Sequence, residues 1–145
     1  METGLRRFLI DVNDYSIVRH IFTSTYGAVF LVQNKQPKKQ VVAKILKPRP
    51  DDDKEKYKQM ANREIGYMIQ FQHPTIIQLI GFSLIDIFNE NNTTIFMQYG
   101  ENGSLDSYIN KIRKNNADGQ YTNTIGQIIL VGIARGMMFL HQNQI

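Results

Sequence analysis

The amino-acid sequence predicts an α+β fold, in which a small antiparallel sheet with one long helix is followed by further helices. Short runs of β-branched and aromatic residues, separated by turn residues, fill the chain up to Leu46. Apolar residues at helical spacing follow from Lys54 to Phe71, and two more β-rich runs come after them. The segment from Thr124 to His141 is apolar almost throughout, as in a buried helix. Strands and helices grouped in this way are typical of the α+β class.

The first part of the chain predicts a meander of three antiparallel strands. These strands are expected at Ile17–Thr23, Ala28–Val32 and Gln40–Leu46. A short turn near Gly27 joins the first two strands, and a second turn is expected at residues 37–39. Two prolines, Pro48 and Pro50, end the third strand.

Three adjacent carboxylates, Asp51, Asp52 and Asp53, precede the long helix. Such a cluster could bind a metal ion, but acidic residues also favour the positively polarised N-terminal end of a helix, and we interpret them in that way. The helix is expected from Lys54 to Phe71, with its apolar residues at Met60, Ile65, Met68, Ile69 and Phe71. His73-Pro74 ends it, and we interpret His73 as a turn residue rather than a ligand.

The second part of the chain predicts two more strands and two helices. The strands are expected at Ile76–Leu84 and Thr94–Tyr99, around a polar loop at Asn89–Thr93. A short helix is expected at Ser104–Arg113, then a loop at Lys114–Asn123. The last helix is expected to begin at Thr124, because Thr124 and Gln127 have the spacing of a capping box.

The last helix carries apolar residues on every side, and Arg135 is its only charged residue before His141. A helix of this kind needs burial on every side. A small sheet and one long helix cannot surround it. We therefore expect that the natural domain continues past Ile145.

Composition excludes several classes of protein. Hydrophobic residues make up 42% of the chain, which is enough for a packed core and too many for a disordered segment. The net charge of +4 is mild, and the basic patch at Lys35, Lys38 and Lys39 is interpreted as a solvated loop rather than a nucleic-acid contact. With no cysteine, neither disulfides nor a thiolate metal site can form. The sequence shows no signal peptide and no window of about 18 apolar residues that would span a membrane, so a soluble, cytoplasmic protein is expected.

A series of motifs follows in a fixed order. I-F-T-S-T-Y-G-A-V ends at Val29, and Lys44 follows 15 residues later in V-V-A-K-I-L. Glu64 comes another 20 residues on, in R-E-I-G-Y-M. H-P-T-I-I-Q-L-I-G-F, I-F-M-Q-Y-G-E-N-G-S-L and R-G-M-M-F-L-H complete the series at residues 73–82, 95–105 and 135–141. From Tyr15 to Ile145 the series resembles the N-terminal lobe and the start of the C-terminal lobe of a eukaryotic protein kinase, most closely the tyrosine-kinase-like group, whose members are mostly Ser/Thr-specific.

The resemblance implies a five-stranded antiparallel sheet with one long helix, then a hinge and the first helices of a helical lobe. The corresponding divisions are an N-terminal extension at 1–14, the N-terminal lobe at 15–97, the hinge at 98–104 and the start of the C-terminal lobe at 105–145. Protein kinases cover the ATP phosphates with a glycine-rich hairpin. Here only the third glycine is present, as Gly27, while Phe22 and Ser24 occupy the first two positions.

The resemblance also implies the roles of individual residues. Lys44 would contact the α- and β-phosphates of ATP and pair with Glu64. Met97 would lie at the back of the pocket, and Met68 and Leu79 would be lobe-spanning contacts or plain core residues. The full nucleotide-binding set implied is Ile21, Ser24, Gly27, Val29, Val42, Lys44, Met97, Gln98, Gly100 and Ser104, with backbone contacts at Gln98 and Gly100 and the ribose near Ser104.

The implied activity is transfer of a phosphoryl group from ATP, with Mg²⁺, to serine or threonine hydroxyls of a protein substrate, tyrosine being an alternative. The catalytic base and the metal ligands of the family are expected just after Ile145, so the chain as written is predicted to be inactive alone and to hold no metal. Three hypotheses stay open: a piece of an active kinase, a pseudokinase or regulatory scaffold that binds nucleotide weakly or not at all, and a decayed product without function. The departures at Phe22 and Ser24 favour the second.

Overall fold

The computed structural model of the chain describes residues 5–48, 53–114 and 123–145. Five strands form one sheet: β1 Tyr15–Ser24, β2 Gly27–Asn34, β3 Gln40–Leu46, β4 Leu79–Ser83 and β5 Thr94–Gln98. Three helices accompany it: α1 Lys54–Gln70, α2 Leu105–Lys114 and α3 Asn123–Gln142. The α+β prediction is confirmed. The third strand has the predicted bounds, and α1 ends one residue before the predicted Phe71.

Every pair of neighbouring strands in the sheet is antiparallel, in the order β1-β2-β3-β5-β4. The strand that carries Lys44 is therefore central. The prediction that the fourth strand begins at Ile76 was wrong, because the Ile76 N–H donates to the His73 carbonyl in a turn and pairing begins only at Leu79. The fifth strand ends at Gln98, one residue before the predicted Tyr99.

The central part of the sheet is covered on both faces, whereas β1 is exposed along most of its length. On one face α1 packs through Ala61 and Ile65 against Leu46, Leu79 and Ile95. On the other face Val32, Val41, Ala43 and Phe96 form a second buried cluster with Val12. Burial of both faces explains why β3 reads as a nearly continuous apolar run that only Lys44 interrupts.

The segment predicted as an N-terminal extension is part of this packing. The Ile10 N–H donates to the Phe82 carbonyl at 2.9 Å, and Leu9 forms a parallel bridge with Phe82 at the outer edge of β4. Val12 is 4% exposed, within the second cluster. The segment thus covers the open edge of the sheet, which would otherwise present unpaired backbone groups.

The chain divides into two compact units. The first comprises the residues through Gln72 together with Ile77–Tyr99, and the second comprises His73–Ile76 together with Gly100–Ile145. Within the second unit the His73 ring stacks on Phe139 with centroids 4.9 Å apart. The boundary between Tyr99 and Gly100 lies inside the segment predicted as the hinge.

Helix α3 exposes much of its apolar surface. Its exposed large side chains are Ile128, Leu130, Val131, Ile133, Met137 and Met138. The helix begins at Asn123, so Thr124 lies in its first turn rather than capping it as predicted. In the part of the chain that the structure describes, one segment, Thr124–Gln142, is long and apolar enough to cross a membrane, with a mean hydropathy of 1.4. A single helix of this kind is weak support for a membrane span, because core helices of soluble proteins share that length and composition. The absence of a membrane span therefore stays a prediction.

Candidate functional site

A lysine and a carboxylate from different elements meet on the helix-covered face of the sheet. The Nζ atom of Lys44, in β3, lies 2.6 Å from Oε1 of Glu64, in α1. Their side chains are 36% and 38% exposed. The predicted pairing is therefore present, and the ammonium group is held by a fixed partner while still open to a ligand.

The position of Glu64 follows from how α1 is anchored. The Asp53 side chain caps the helix by accepting from the Glu55 and Lys56 N–H groups, at 2.9 and 3.3 Å. Ala61 and Ile65, each 3% exposed, fix the face that lies on the sheet. Glu64 belongs to the same side of the helix, so burial of its neighbours directs its carboxylate towards β3.

The acidic cluster before α1 has the predicted helix-start role where the structure describes it. Asp53 is the cap, while Asp51 and Asp52 lie outside the described residues. Among the described residues, no group of three His, Cys, Asp or Glu side chains is placed to hold a metal ion.

Cross-strand register brings several of the predicted residues into two rows. Phe22 pairs with Val29, Val29 with Lys44, and Lys44 with Ile95. Partners that face each other across antiparallel strands share one face of the sheet. The Phe22 ring is 58% exposed and lies in the row of Lys44. Ile21 falls at a register shift between His20 and Phe22, so it has no cross-strand partner in β2.

The second row contains the predicted Val42 and Met97, which pair with each other, and Leu79, which pairs with Met97. Leu79 belongs to the cluster beneath α1, and Met68 and Met97 pack against it. The structure therefore brings Met68, Leu79 and Met97 together, as both interpretations of Met68 and Leu79 require.

The β1–β2 turn depends on Gly27. Its φ of 145° is a conformation that residues with a side chain rarely adopt, and a Cβ atom there would overlap the Ile45 carbonyl oxygen. The turn is also held by Ser24, whose Oγ accepts from the Tyr26 N–H at 3.2 Å and donates to the Gly27 carbonyl at 3.4 Å. Ser24 thus has a local structural use that sequence reasoning did not assign.

The remaining predicted residues lie at the end of the fifth strand and after it. The Gln98 N–H donates to the Gln78 carbonyl at 2.9 Å, within the first unit. In the second unit the Gly100 carbonyl accepts from Gly103 N–H at 3.1 Å, which closes a turn. Ser104 Oγ accepts from the Ser107 N–H at 3.1 Å at the start of α2. Ser104, predicted near a ribose, therefore already serves as a helix cap.

One contact near this site was not predicted. The Tyr57 hydroxyl, on α1, donates to the Tyr26 carbonyl at 2.5 Å, and the Lys47 N–H donates to the same oxygen at 3.2 Å. The only signal in the sequence is that Tyr57 and Glu64 are seven residues apart, which places them on one side of a helix.

Comparison with known proteins identifies the family. The model of the protein kinase domain matches residues 15–145. Ephrin type-B receptor 1-A of Xenopus laevis is 33% identical over 135 residues, covering 92% of this chain and 13% of the receptor. Ephrin type-B receptor 1 of Gallus gallus is 33% identical over 133 residues, which cover 90% of this chain and 12% of the receptor. Ephrin type-B receptor 2 of Coturnix japonica is 32% identical over 133 residues, which also cover 90% of this chain and 12% of the receptor.

The chain therefore belongs to the protein kinase domain family. Its sheet with one long helix is the N-terminal lobe of that domain, followed by the start of the C-terminal lobe. The chain spans about an eighth of the length of these relatives. The family resemblance drawn from the motifs is confirmed; the tyrosine-kinase-like subgroup and the division of the chain at residues 14, 97 and 104 stay predictions.

Proposed function

We propose that this chain is the nucleotide-binding part of a protein kinase, which binds ATP beside Lys44 and transfers its γ-phosphoryl group to a protein hydroxyl group. The observation that carries the proposal is the 2.6 Å pair of Lys44 and Glu64 on the central strand of a kinase-family sheet. An ammonium group fixed by a carboxylate offers a positive point charge at a defined place, which suits phosphate oxygens.

Other residues in the proposal act on the nucleotide's two ends. Val29, Val42 and Met97 supply apolar side chains on the face that carries Lys44, and Ile21 precedes the turn on the same hairpin. Gln98 and Gly100 supply backbone groups for the adenine edge and Ser104 a hydroxyl near the ribose. Gly27 lets the backbone of the β1–β2 turn approach the phosphates.

Magnesium, when bound, would neutralise charge on the transferred group. The described residues of this chain form no cluster that fits a metal ion, so we assign none of them to Mg²⁺. The protein substrate is proposed to present serine or threonine, with tyrosine as the alternative, and the kinase is proposed to act in the cytoplasm, where ATP is the phosphoryl donor.

A pseudokinase or regulatory scaffold is the second candidate, favoured by the β1–β2 hairpin. Phe22 replaces a glycine of the family pattern, and its ring lies in the row of Val29 and Lys44. A benzyl group there competes for the space that phosphates need. Weak nucleotide binding with an intact Lys44–Glu64 pair would match this candidate.

Calorimetric titration with a non-hydrolysable ATP analogue and Mg²⁺ tests the nucleotide site. We expect Lys44→Ala to weaken binding by roughly 10- to 100-fold, because a hydrogen bond to a charged group is worth about 1.5–3 kcal/mol. The pair is more than a third exposed, so its loss should cost the fold at most about 1 kcal/mol. Thermal melting of the variant checks this.

Lys47→Ala is the matched control for this titration. Lys47 also forms an ion pair, with Glu90 at 3.0 Å, and it lies three residues from Lys44 on the same stretch of chain. It should bind the analogue as the parent does. Equal affinity of the parent and the Lys44→Ala variant for the analogue would contradict the proposed site. Nucleotide binding without phosphoryl transfer in a longer segment that includes the rest of the kinase domain would favour the pseudokinase or scaffold.

A further inference from the structure

The tip of the β1–β2 turn is tied to two other elements through one atom. The Tyr26 carbonyl oxygen accepts from the Tyr57 hydroxyl of α1 and from the Lys47 N–H just beyond β3. One donor comes from the helix that carries Glu64, and the other from the residue that directly follows the strand of Lys44. The backbone of the turn is thus fixed against both halves of the ion pair.

Helix α1 makes two polar contacts with the sheet region: Tyr57 contacts the β1–β2 turn, and Glu64 contacts Lys44 in β3. Tyr57 and Glu64 are seven residues apart, which is two helical turns and about 10 Å along the axis. The Tyr57 ring packs on the cluster that includes Ala61 and Ile65, so the same hydrophobic contacts that hold α1 on the sheet also hold this ring in place. A movement of α1 as one body away from the sheet would therefore withdraw Glu64 from Lys44 and the Tyr57 hydroxyl from the turn together.

We propose that Tyr57 is a positioning residue, which couples the β1–β2 turn to the Lys44–Glu64 pair so that the turn closes over the phosphates only when the pair is formed. This inference rests on the proposed nucleotide site and adds to it a residue that touches no nucleotide. The hydroxyl donates to a backbone carbonyl, so the coupling does not depend on which side chain stands at position 26.

The coupling is tested by a double-mutant cycle on ATP-analogue affinity. Tyr57→Phe removes the hydroxyl and keeps the ring, so the packing of α1 is retained. We expect it to weaken binding by roughly threefold to tenfold in the parent, the worth of one neutral hydrogen bond. In a Glu64→Ala background, where the helix is no longer held at Lys44, the same change should have less than a twofold effect.

Tyr67→Phe is the matched control, because Tyr67 is on the same helix about 15 Å further along its axis. It should leave affinity unchanged. Equal effects of Tyr57→Phe in both backgrounds would show that the hydroxyl acts independently of the pair, and no effect in the parent would show that it does not act at all. Either result overturns the inference while the Lys44 site stands.

An NMR measurement without nucleotide keeps the inference testable if Lys44→Ala shows that the nucleotide site itself is wrong. The Gly27 N–H shares a peptide unit with the Tyr26 carbonyl, so its amide shift reports on that hydrogen bond. We expect Tyr57→Phe and Glu64→Ala to move this shift in the same direction, and Tyr67→Phe to leave it in place. A Gly27 amide that ignores Glu64→Ala would overturn the coupling.

Discussion

Phe22 is the residue at which this chain departs most from the family pattern, and its surroundings say what the departure does. Phe22 is 58% exposed and stands opposite Val29, which in turn pairs with Lys44 on the next strand. It neither fills the core nor closes the turn. The Phe22 side chain should therefore weaken nucleotide binding by blocking access, and it should have little effect on the stability of the fold.

Replacing this side chain tests that account. We expect Phe22→Gly to tighten ATP-analogue binding by about tenfold, because the backbone could then approach the phosphates and one added N–H contact to a charged group is worth about 1.5 kcal/mol. Calorimetric titration measures the change. Ser24→Gly is the informative contrast, since it removes the two turn hydrogen bonds and should not improve affinity. Weaker or equal binding by Phe22→Gly would mean that the ring is harmless to the nucleotide.

The family resemblance predicted Glu64 as the partner of Lys44, which the structure shows, but it did not predict how every site residue is used. A lysine in an apolar strand needs a counter-charge, and Glu64 lies at the spacing that the family provides. The bulge beside Ile21 and the helix cap at Ser104 depend on strand register and on where a helix begins, which composition does not fix. Both follow from how neighbouring elements are placed.

Among the elements of the fold, the N-terminal segment packs closely against β4 at Gly81. A Cβ atom at this position would lie 2.5 Å from the Phe8 carbonyl oxygen and 2.6 Å from Ile10 Cδ1. The close approach lets Ile10 donate to Phe82 and lets Val12 enter the core. The absence of a side chain at Gly81 thus makes room for the strand-like segment.

We expect Gly81→Ala to loosen this attachment and to lower the free energy of unfolding by about 1–3 kcal/mol, the usual cost of overpacking. Hydrogen exchange read at the Ile10 amide should accelerate, and denaturant unfolding gives the energy. Gly66→Ala is a matched control, because a Cβ there meets nothing within 4 Å. Protection of Ile10 that survives Gly81→Ala would contradict this description of the edge.

Local patterns predicted the elements that have strong periodicity and missed those defined by tertiary contacts. The helix before Phe71 was predicted within a residue, yet Met60, expected among its apolar positions, is 58% exposed while Ala61 is buried. The alternation of Phe8, Ile10 and Val12 was the signal for the N-terminal segment, and it was too short to separate from a disordered end. The turn at residues 73–76 belongs to the second unit, which a single β-rich run cannot reveal.

At the scale of the whole molecule, the apolar surface of α3 is the main feature without a covering partner in the described chain. Leu130 is 68% exposed and Ile128 is 65% exposed. We predicted that this helix needs burial on all sides, and in the structure much of its apolar surface is exposed to solvent. Exposed apolar side chains in this number on one helix favour association between molecules.

We expect the purified chain to scatter light as a multimer and Leu130→Glu to shift it towards the monomer, because a carboxylate at the centre of the patch is costly to bury. Leu84→Glu, the same change at a 59% exposed position in the first unit, should leave the association unchanged. A parent chain that is monodisperse and monomeric would contradict this prediction.

Binding of the ATP phosphates against Lys44 underlies the proposed function, and chemical labelling tests this binding directly. An acyl-phosphate derivative of ATP transfers its acyl group to a lysine amine near the bound phosphates and releases ATP, so peptide mass spectrometry identifies the lysine. We predict that Lys44 carries the label, that excess ATP prevents it, and that Lys47, whose side chain is 61% exposed against 36% for Lys44, is labelled less. Labelling that follows exposure alone and is unaffected by ATP would show that the phosphates do not lie against Lys44.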